Sequence, residues 1–214
     1  MQVSGAGTIS VVFDGQQQSA EVGEPAEYDS GVVFGKGEAD PDVEEDVQDV
    51  SFTFAVEHPA LWSAEQPNLY EAEIALLREG ALVERTGLKV GLRRFELKDR
   101  QMLLNGKRIV FKGVNRHEWS CRTGRTVSRE EMLWDVKNLK AHNVNAVRTS
   151  HYPQSPYFLD ECDRRGLLVF TELPGWQHIG DDNWKDAACE MLQEMILQNR
   201  NHPSIILWGV RINE

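Results

Sequence analysis

The sequence predicts an antiparallel β domain followed by a parallel α/β domain, and three observations carry that expectation. Over residues 1 to about 97, apolar and polar residues alternate with a period of two, as half-buried strands do. From about residue 98 the rhythm becomes short apolar runs separated by helical periodicity, the pattern of βα units. Each of the four apolar runs in that second part also ends in polar and aromatic residues. The expected division is therefore residues 1–97 and 98–214.

In the first part the strand candidates are Ile9 to Phe13, Val50 to Val56 and Leu69 to Leu76. Their size and spacing suit an immunoglobulin-like β-sandwich. Between them, Gly37 to Asp49 holds seven acidic residues, Pro41 and few apolar ones, and reads as a solvated loop without chemistry.

The second part opens with Asn105-Gly106 between two apolar-rich runs, a strong hairpin signal. The run from Arg108 to Val114 is followed by Ser128-Arg129-Glu130-Glu131, a capping box that starts a helix with Met132, Val136 and Leu139 on one face. Val144 to Val147 is the next strand. Ser155-Pro156 then combines an N-cap with proline at the first helical position, and Gly166 is placed to end that helix. Leu167 to Phe170 reads as a buried strand, and a helix over roughly Lys185 to Asn199 turns Ala188, Met191, Leu192, Met195 and Ile196 inward. Ser204 to Trp208 is the fourth strand. Strands alternating with helices in this way predict a parallel sheet with right-handed crossovers.

Composition narrows the function. With 41% hydrophobic residues the chain can build cores, while a formal charge of −11 and a pI near 5.1 disfavour nucleic acid and anionic membranes. Cys121, Cys162 and Cys189 form no closely spaced metal motif and read as buried free thiols of a reducing, cytoplasmic compartment. Met1 to Ser10 has no signal-like character, and no run approaches the roughly 18 apolar residues of a membrane span.

The polar clusters are Asn115 to Trp119, Arg148 to Tyr152, Thr171-Glu172 with Trp176, and Trp208 to Glu214. All follow the carboxyl ends of strands, the edge where parallel α/β proteins bind ligands. Carboxylates, imidazoles, guanidinium groups and indoles on one rim suit a sugar, with hydroxyls to hydrogen-bond and C–H faces to stack on Trp176. Arg116, Glu118 and Arg148 read equally as buried ion pairs holding strand ends. His117 and His151 taken singly read as core histidines, and their shared rim raises them to site candidates. Glu172 is either a partner of a catalytic acid or an ion-pair member. Trp62, Trp119 and Trp134 read as packing residues, and Cys162 as core.

Three motifs then name a family. Phe111-Lys112-Gly113-Val114-Asn115-Arg116-His117-Glu118, Val147-Arg148-Thr149-Ser150-His151-Tyr152-Pro153, and Arg200-Asn201-His202-Pro203-Ser204-Ile205-Ile206-Leu207-Trp208-Gly209 through Asn213-Glu214 resemble family 2 glycoside hydrolases of the β-galactosidase type. Leu61-Trp62-Ser63-Ala64-Glu65-Gln66-Pro67-Asn68-Leu69-Tyr70 looks like the late strands of that family's immunoglobulin-like domain. The resemblance implies an immunoglobulin-like domain followed by the first four βα units of a (β/α)8 TIM barrel. It makes Glu214 the general acid/base and Asn213 the residue that bonds the sugar 2-hydroxyl. It places His117 and His151 in the glycone pocket and Arg148 near the catalytic carboxylates. The family's nucleophilic glutamate follows a seventh barrel strand, so the chain is expected to be an inactive fragment of a retaining enzyme. A homo-oligomer of the full-length enzyme is compatible with this reading.

Two departures qualify the resemblance. Magnesium-bound β-galactosidases of the family carry Glu-x-His after the third strand, where this chain has Thr171-Glu172-Leu173-Pro174-Gly175-Trp176-Gln177-His178. No cofactor is therefore expected, and magnesium is not favoured. This segment and Trp208 to Glu214 look more like other family 2 subgroups, including those near β-glucuronidases. The alternatives are accordingly a β-glucuronidase or other family 2 β-glycosidase, or a carbohydrate-binding or complementing fragment without activity. A complete small α/β protein of unrelated function fits the motifs least.

Overall fold

The computed structural model describes residues 2–4, 6–23, 47–175 and 178–210. The chain forms two compact units, one from Met1–His58 with Tyr70–Lys89 and one from Pro59–Leu69 with Val90–Glu214. Among the described residues no helix is long and apolar enough to cross a membrane.

The first unit contains β1 (Gln2–Ser4), β2 (Gly7–Phe13), β3 (Gln16–Val22), β4 (Val47–Asp49), β5 (Tyr70–Arg78) and β6 (Ala81–Val90). β2 runs antiparallel to both β3 and β5, giving the order β3-β2-β5-β6, while β1 pairs with β4. Ile9, Val11 and Val22 are its buried centre, with Phe52, Phe54, Ile74 and Leu76 packed against them. Two expectations are corrected here. Val50 to Val56 keeps its alternating burial but joins no ladder, because β3 meets it through side chains: Gln16 Nε2 donates to Ala55 O at 2.7 Å and Gln18 Nε2 to Thr53 O at 2.6 Å. The acidic loop from Gly37 ends early, since Val47–Asp49 is a strand; its remainder lies outside the described residues.

The second unit begins with a small antiparallel meander of β7 (Phe95–Lys98), β8 (Gln101–Leu104) and β9 (Lys107–Arg108). Asn105 and Gly106 turn β8 into β9 with φ of 53° and 77°, the left-handed pair that a two-residue hairpin requires. Then follow β10 (Gly113–Arg116), α1 (Arg129–Ala141), β11 (Ala146–Thr149), α2 (Pro156–Arg165), β12 (Leu168–Glu172), α3 (Asp182–Asn199) and β13 (Ile205–Gly209). The four strands pair in parallel in sequence order.

Local chemistry explains the helices. Ser128 and Glu131 form the reciprocal capping box, and Ser120 Oγ also donates to Glu131 at 2.7 Å. The Ser120 hydroxyl, the largest cause, and the Ser128 backbone N–H hold the Glu131 carboxyl below its usual range. Ser155 makes no side-chain cap; its N–H instead donates to Glu118 Oε2 at 2.8 Å, so a carboxylate from the loop after β10 serves the N-terminus of α2. Gly166 ends α2 at φ 71°, and a Cβ there would lie 2.3 Å from Ala64 O. α3 starts three residues earlier than expected because Asp181 caps it, accepting from Trp184 N at 3.0 Å. Its inward stripe is Leu192, Met195, Ile196 and Asn199, whereas Met191, expected inside, is exposed.

Met132, Val136, Val147, Phe158, Leu159, Cys162, Val169 and Ile205 make the core between sheet and helices. The Leu61 to Tyr70 stretch, read from sequence as late strands of the first domain, forms only an isolated Trp62–Pro67 bridge before β5. Trp62 is fully buried in the second unit, where its Nε1 donates to Asp163 O at 2.8 Å, and Lys140 Nζ ties Ala64 O to Gly166 O. That hydrogen-bonded anchoring makes Pro59–Leu69 part of the second unit.

Candidate active site

Register determines which side chains share a face. Asn115 lies opposite Arg148, Arg148 opposite Phe170, and Phe170 opposite Leu207. Side chains repeat every second residue along a strand, so Glu172 follows Phe170 on this face, with Gly209 as its neighbour on β13. Val147, Val169 and Ile205 point the other way, into the helix-covered core. The face bearing Asn115, Arg148 and Phe170 lines a hollow of about 330 Å³.

At the carboxyl end of this face Arg148 and Glu172 form a two-point ion pair. Arg148 Nε donates to Glu172 Oε2 at 2.9 Å and Nη2 to Oε1 at 3.0 Å. His151 Nδ1 lies 2.8 Å from the same Oε1. Side-chain exposure is 2% for Glu172, 16% for Arg148 and 13% for His151. Charge-assisted, bidentate pairing of this kind satisfies the buried carboxylate and fixes the guanidinium plane. Phe170 supplies an aromatic floor 6.0 Å from the Arg148 Cζ. Gly209 leaves the space they need, since a Cβ there would lie 2.8 Å from Glu172 Cβ and from Phe170 Cε2.

His117, exposed after β10, sets its ring edge-on to His151 with centroids 5.3 Å apart, and 6.2 Å from Tyr152. Tyr152 Oη accepts from Glu118 N at 3.0 Å, which ties the loops after β10 and β11 together. The Ser150–His151 peptide between Arg148 and this cluster is cis. The structure thus brings His117, His151, Arg148 and Glu172 to one rim. Trp176, Asn213 and Glu214 lie outside the described residues.

Other residues that stood out in the sequence take no part in this rim. Arg116 faces the helices, where Nε donates to Asp135 Oδ2 at 2.8 Å and Cζ lies 4.1 Å above the Phe158 ring. Trp119 and Trp134, expected as packing residues, are each 63% exposed; on α1, Trp134 falls off the Met132–Val136 face by half a turn. Of the three free cysteines only Cys162 is buried, and burial pushes its thiol well up; Cys121 and Cys189 are exposed. Phe170 and Gly209 were not singled out by their residue types. The period-two spacing from Glu172 was the signal available for Phe170.

Among the described residues one further group has metal-like proximity, Asp160, Asp163 and His202. It sits at the opposite, amino-terminal end of β13. There Asp163 Oδ2 meets His202 Nδ1 at 2.6 Å and Oδ1 accepts from Ser204 N at 3.0 Å, so Asp163 already anchors the entry to that strand.

Comparison with known proteins places this geometry. Residues 95–214 match the TIM barrel domain model of the glycosyl hydrolases family 2, and residues 5–93 match a second model of glycosyl hydrolases family 2. The chain belongs to glycosyl hydrolase family 2. Its curated relatives include a β-galactosidase of Streptococcus thermophilus, 46% identical over 164 residues, covering 69% of this chain and 16% of that protein. Another is a β-galactosidase of Halalkalibacterium halodurans, 43% identical over 188 residues, covering 80% of this chain and 18% of that protein. Among solved structures, Bacteroides uniformis β-glucuronidase 3 aligns with a TM-score of 0.76 at 29% identity, over 96% of this chain and 24% of that one. A family 2 β-galacturonidase from Eisenbergiella tayi bound to galacturonate aligns with a TM-score of 0.77 at 25% identity, over 96% of this chain and 35% of that one. The chain therefore spans about a sixth of the length of these curated relatives. Its architecture is that of family 2, an immunoglobulin-like domain followed by part of a TIM barrel, and β10 to β13 supply four parallel strands of that barrel.

Proposed function

We propose that these residues belong to a cytoplasmic β-galactosidase that cleaves terminal β-galactosides with retention, with residues 1–97 as its immunoglobulin-like domain and 98–214 as the first half of its barrel. The observation that carries the reading is the buried Arg148–Glu172 pair with His151 and His117 at the carboxyl ends of adjacent parallel strands, the face on which TIM barrels do chemistry. Arg148 is already matched by a carboxylate, which favours a neutral glycone over a uronate. The β-galactosidase names of the curated relatives agree with this.

In the proposed mechanism Glu214 protonates the leaving oxygen while the family's nucleophilic glutamate attacks the anomeric carbon, the two carboxyl groups standing about 5 to 5.5 Å apart. Ionised Glu214 then takes a proton from the water that releases the sugar. Asn213 bonds the 2-hydroxyl, Trp176 stacks on the sugar, and His117 and His151 line the glycone pocket. Residues 1–214 alone are proposed to be inactive, since the mechanism needs the nucleophilic glutamate that the family carries after its seventh barrel strand. Magnesium is proposed to be dispensable. Both Glu172 oxygens are engaged by Arg148 and His151, and a divalent ion beside that guanidinium would be repelled.

A β-glucuronidase is the second reading, favoured by the names of similar solved structures. Turnover of nitrophenyl-β-galactoside and nitrophenyl-β-glucuronide, by residues 1–214 and by the full-length enzyme, separates the readings. Preference for the glucuronide would reverse the assignment, and turnover by residues 1–214 that Glu214→Gln abolishes would overturn the inactivity.

A further inference from the structure

Glu172 Oε1 is the common endpoint of two contacts, 3.0 Å from Arg148 Nη2 and 2.8 Å from His151 Nδ1, while Nη2 and Nδ1 approach each other to 3.2 Å. Three atoms this close define where the hydrogens are. A guanidinium only donates, and a carboxylate that receives it at two points is ionised and only accepts. A bare Nδ1 would turn its lone pair toward that oxygen, so Nδ1 must carry its hydrogen to Oε1. The 3.2 Å approach is then the spacing of two donors sharing one acceptor. In the neutral ring of that tautomer Nε2 is an acceptor, suited to a sugar hydroxyl.

Glu172 is itself held from three sides. Its side chain is almost fully buried, Arg148 locks both oxygens from β11, and its Cβ packs into the space that Gly209 on β13, having no side chain, leaves for it. Rotation of the carboxylate would break both arms of the ion pair. The orientation it imposes on His151 is therefore rigid.

We infer that Glu172 is a positioning residue, which through Oε1 fixes the orientation and the Nδ1–H tautomer of His151 at the glycone pocket. It acts through His151 and touches no reacting atom. The inference rests on the reading that His151 lines that pocket.

The test uses the full-length enzyme labelled with ¹⁵N-histidine, with His151 assigned by the signal lost in His151→Gln. The wild-type His151 is expected to show the Nδ1–H pattern, and Glu172→Gln to shift it toward a tautomeric mixture. Glu172→Gln should lower kcat/KM on nitrophenyl-β-galactoside by about 10- to 100-fold, the scale seen when metal-bound histidines lose an orienting partner. In a His151→Gln background the same change should cost less than about threefold, because its effect runs through His151. Should Glu172→Gln fail to fold, Glu172→Asp, which keeps the charge but shortens the reach, is read in the same way. A wild-type Nε2–H pattern, or equal losses in both backgrounds, overturns the inference. Absence of turnover on any β-glycoside by the wild type would sink the functional reading instead, leaving the ¹⁵N pattern to decide the positioning role.

Discussion

Arg148 on β11 and Glu172 on β12 meet at two points, 2.9 and 3.0 Å, with the carboxylate almost wholly out of water. The pair joins two central strands at the end where the pocket lies, and neither charge is tolerable there without the other. Arg148→Ala is therefore expected to destabilise the protein by about 3 kcal/mol, mostly the cost of stranding a buried carboxylate. Chemical denaturation of the variant beside the wild type measures it. A loss below about 1 kcal/mol would mean that Glu172 finds another partner or takes up a proton.

A second ion pair, at the other end of the sheet, should be visible in pH dependence. Burial works to lower the His202 pKa, but the hydrogen bond and charge of Asp163, with Asp160 adding, outweigh it and leave the pKa raised. A raised folded pKa means that protonation favours the native state. The contribution is fully present below the unfolded value of about 6.5 and fades as pH rises through the higher folded value. His202→Gln is expected to cost more stability at pH 5.5 than at pH 9. A cost that is the same at both would show that the pair is not linked to protonation.

Gly166 offers a steric check on the packing of Pro59–Leu69. Its φ of 71° disfavours any side chain, and a Cβ would meet Ala64 O at 2.3 Å. Gly166→Ala should destabilise by more than about 1 kcal/mol. A neutral substitution in a thermal melt would contradict the approach of Ala64 to the end of α2.

Metal dependence follows from the engagement of Glu172. EDTA treatment of the full-length enzyme should leave kcat and the alkaline limb of the pH profile unchanged. A large loss of kcat that magnesium restores would contradict this, and would require ligands outside Arg148's partner.

Much of this was legible in the sequence because its signals were local. Asn105-Gly106, the Ser128–Glu131 box and Gly166 all act within a few residues, and each forms the turn or cap its chemistry requires. The four parallel strands and the three helices between them were legible for the same reason. What failed depended on distant partners. Val50 to Val56 has a strand's alternation, but Gln16 and Gln18 occupy carbonyls that a ladder would have used. Ser155 is the N-cap residue of α2 with Pro156 after it, as expected, but its hydroxyl makes no cap hydrogen bond and Glu118, 37 residues earlier, takes its N–H. The ion pair of Glu172 with Arg148 could be seen only through the register that sets Arg148 against Phe170, two residues away. Exposure of Trp134 and Met191 was hidden because apolar character alone does not choose a helix face.

The glycosidase chemistry proposed for Glu214 is open to a direct test. Initial rates of nitrophenol release from nitrophenyl-β-galactoside are compared for the full-length enzyme and its Glu214→Gln variant. Turnover by the wild type and a loss of about 100-fold or more in the variant, as removal of a general acid/base produces, is the expected result. No turnover by the wild type, or a variant as active as the wild type, would contradict it.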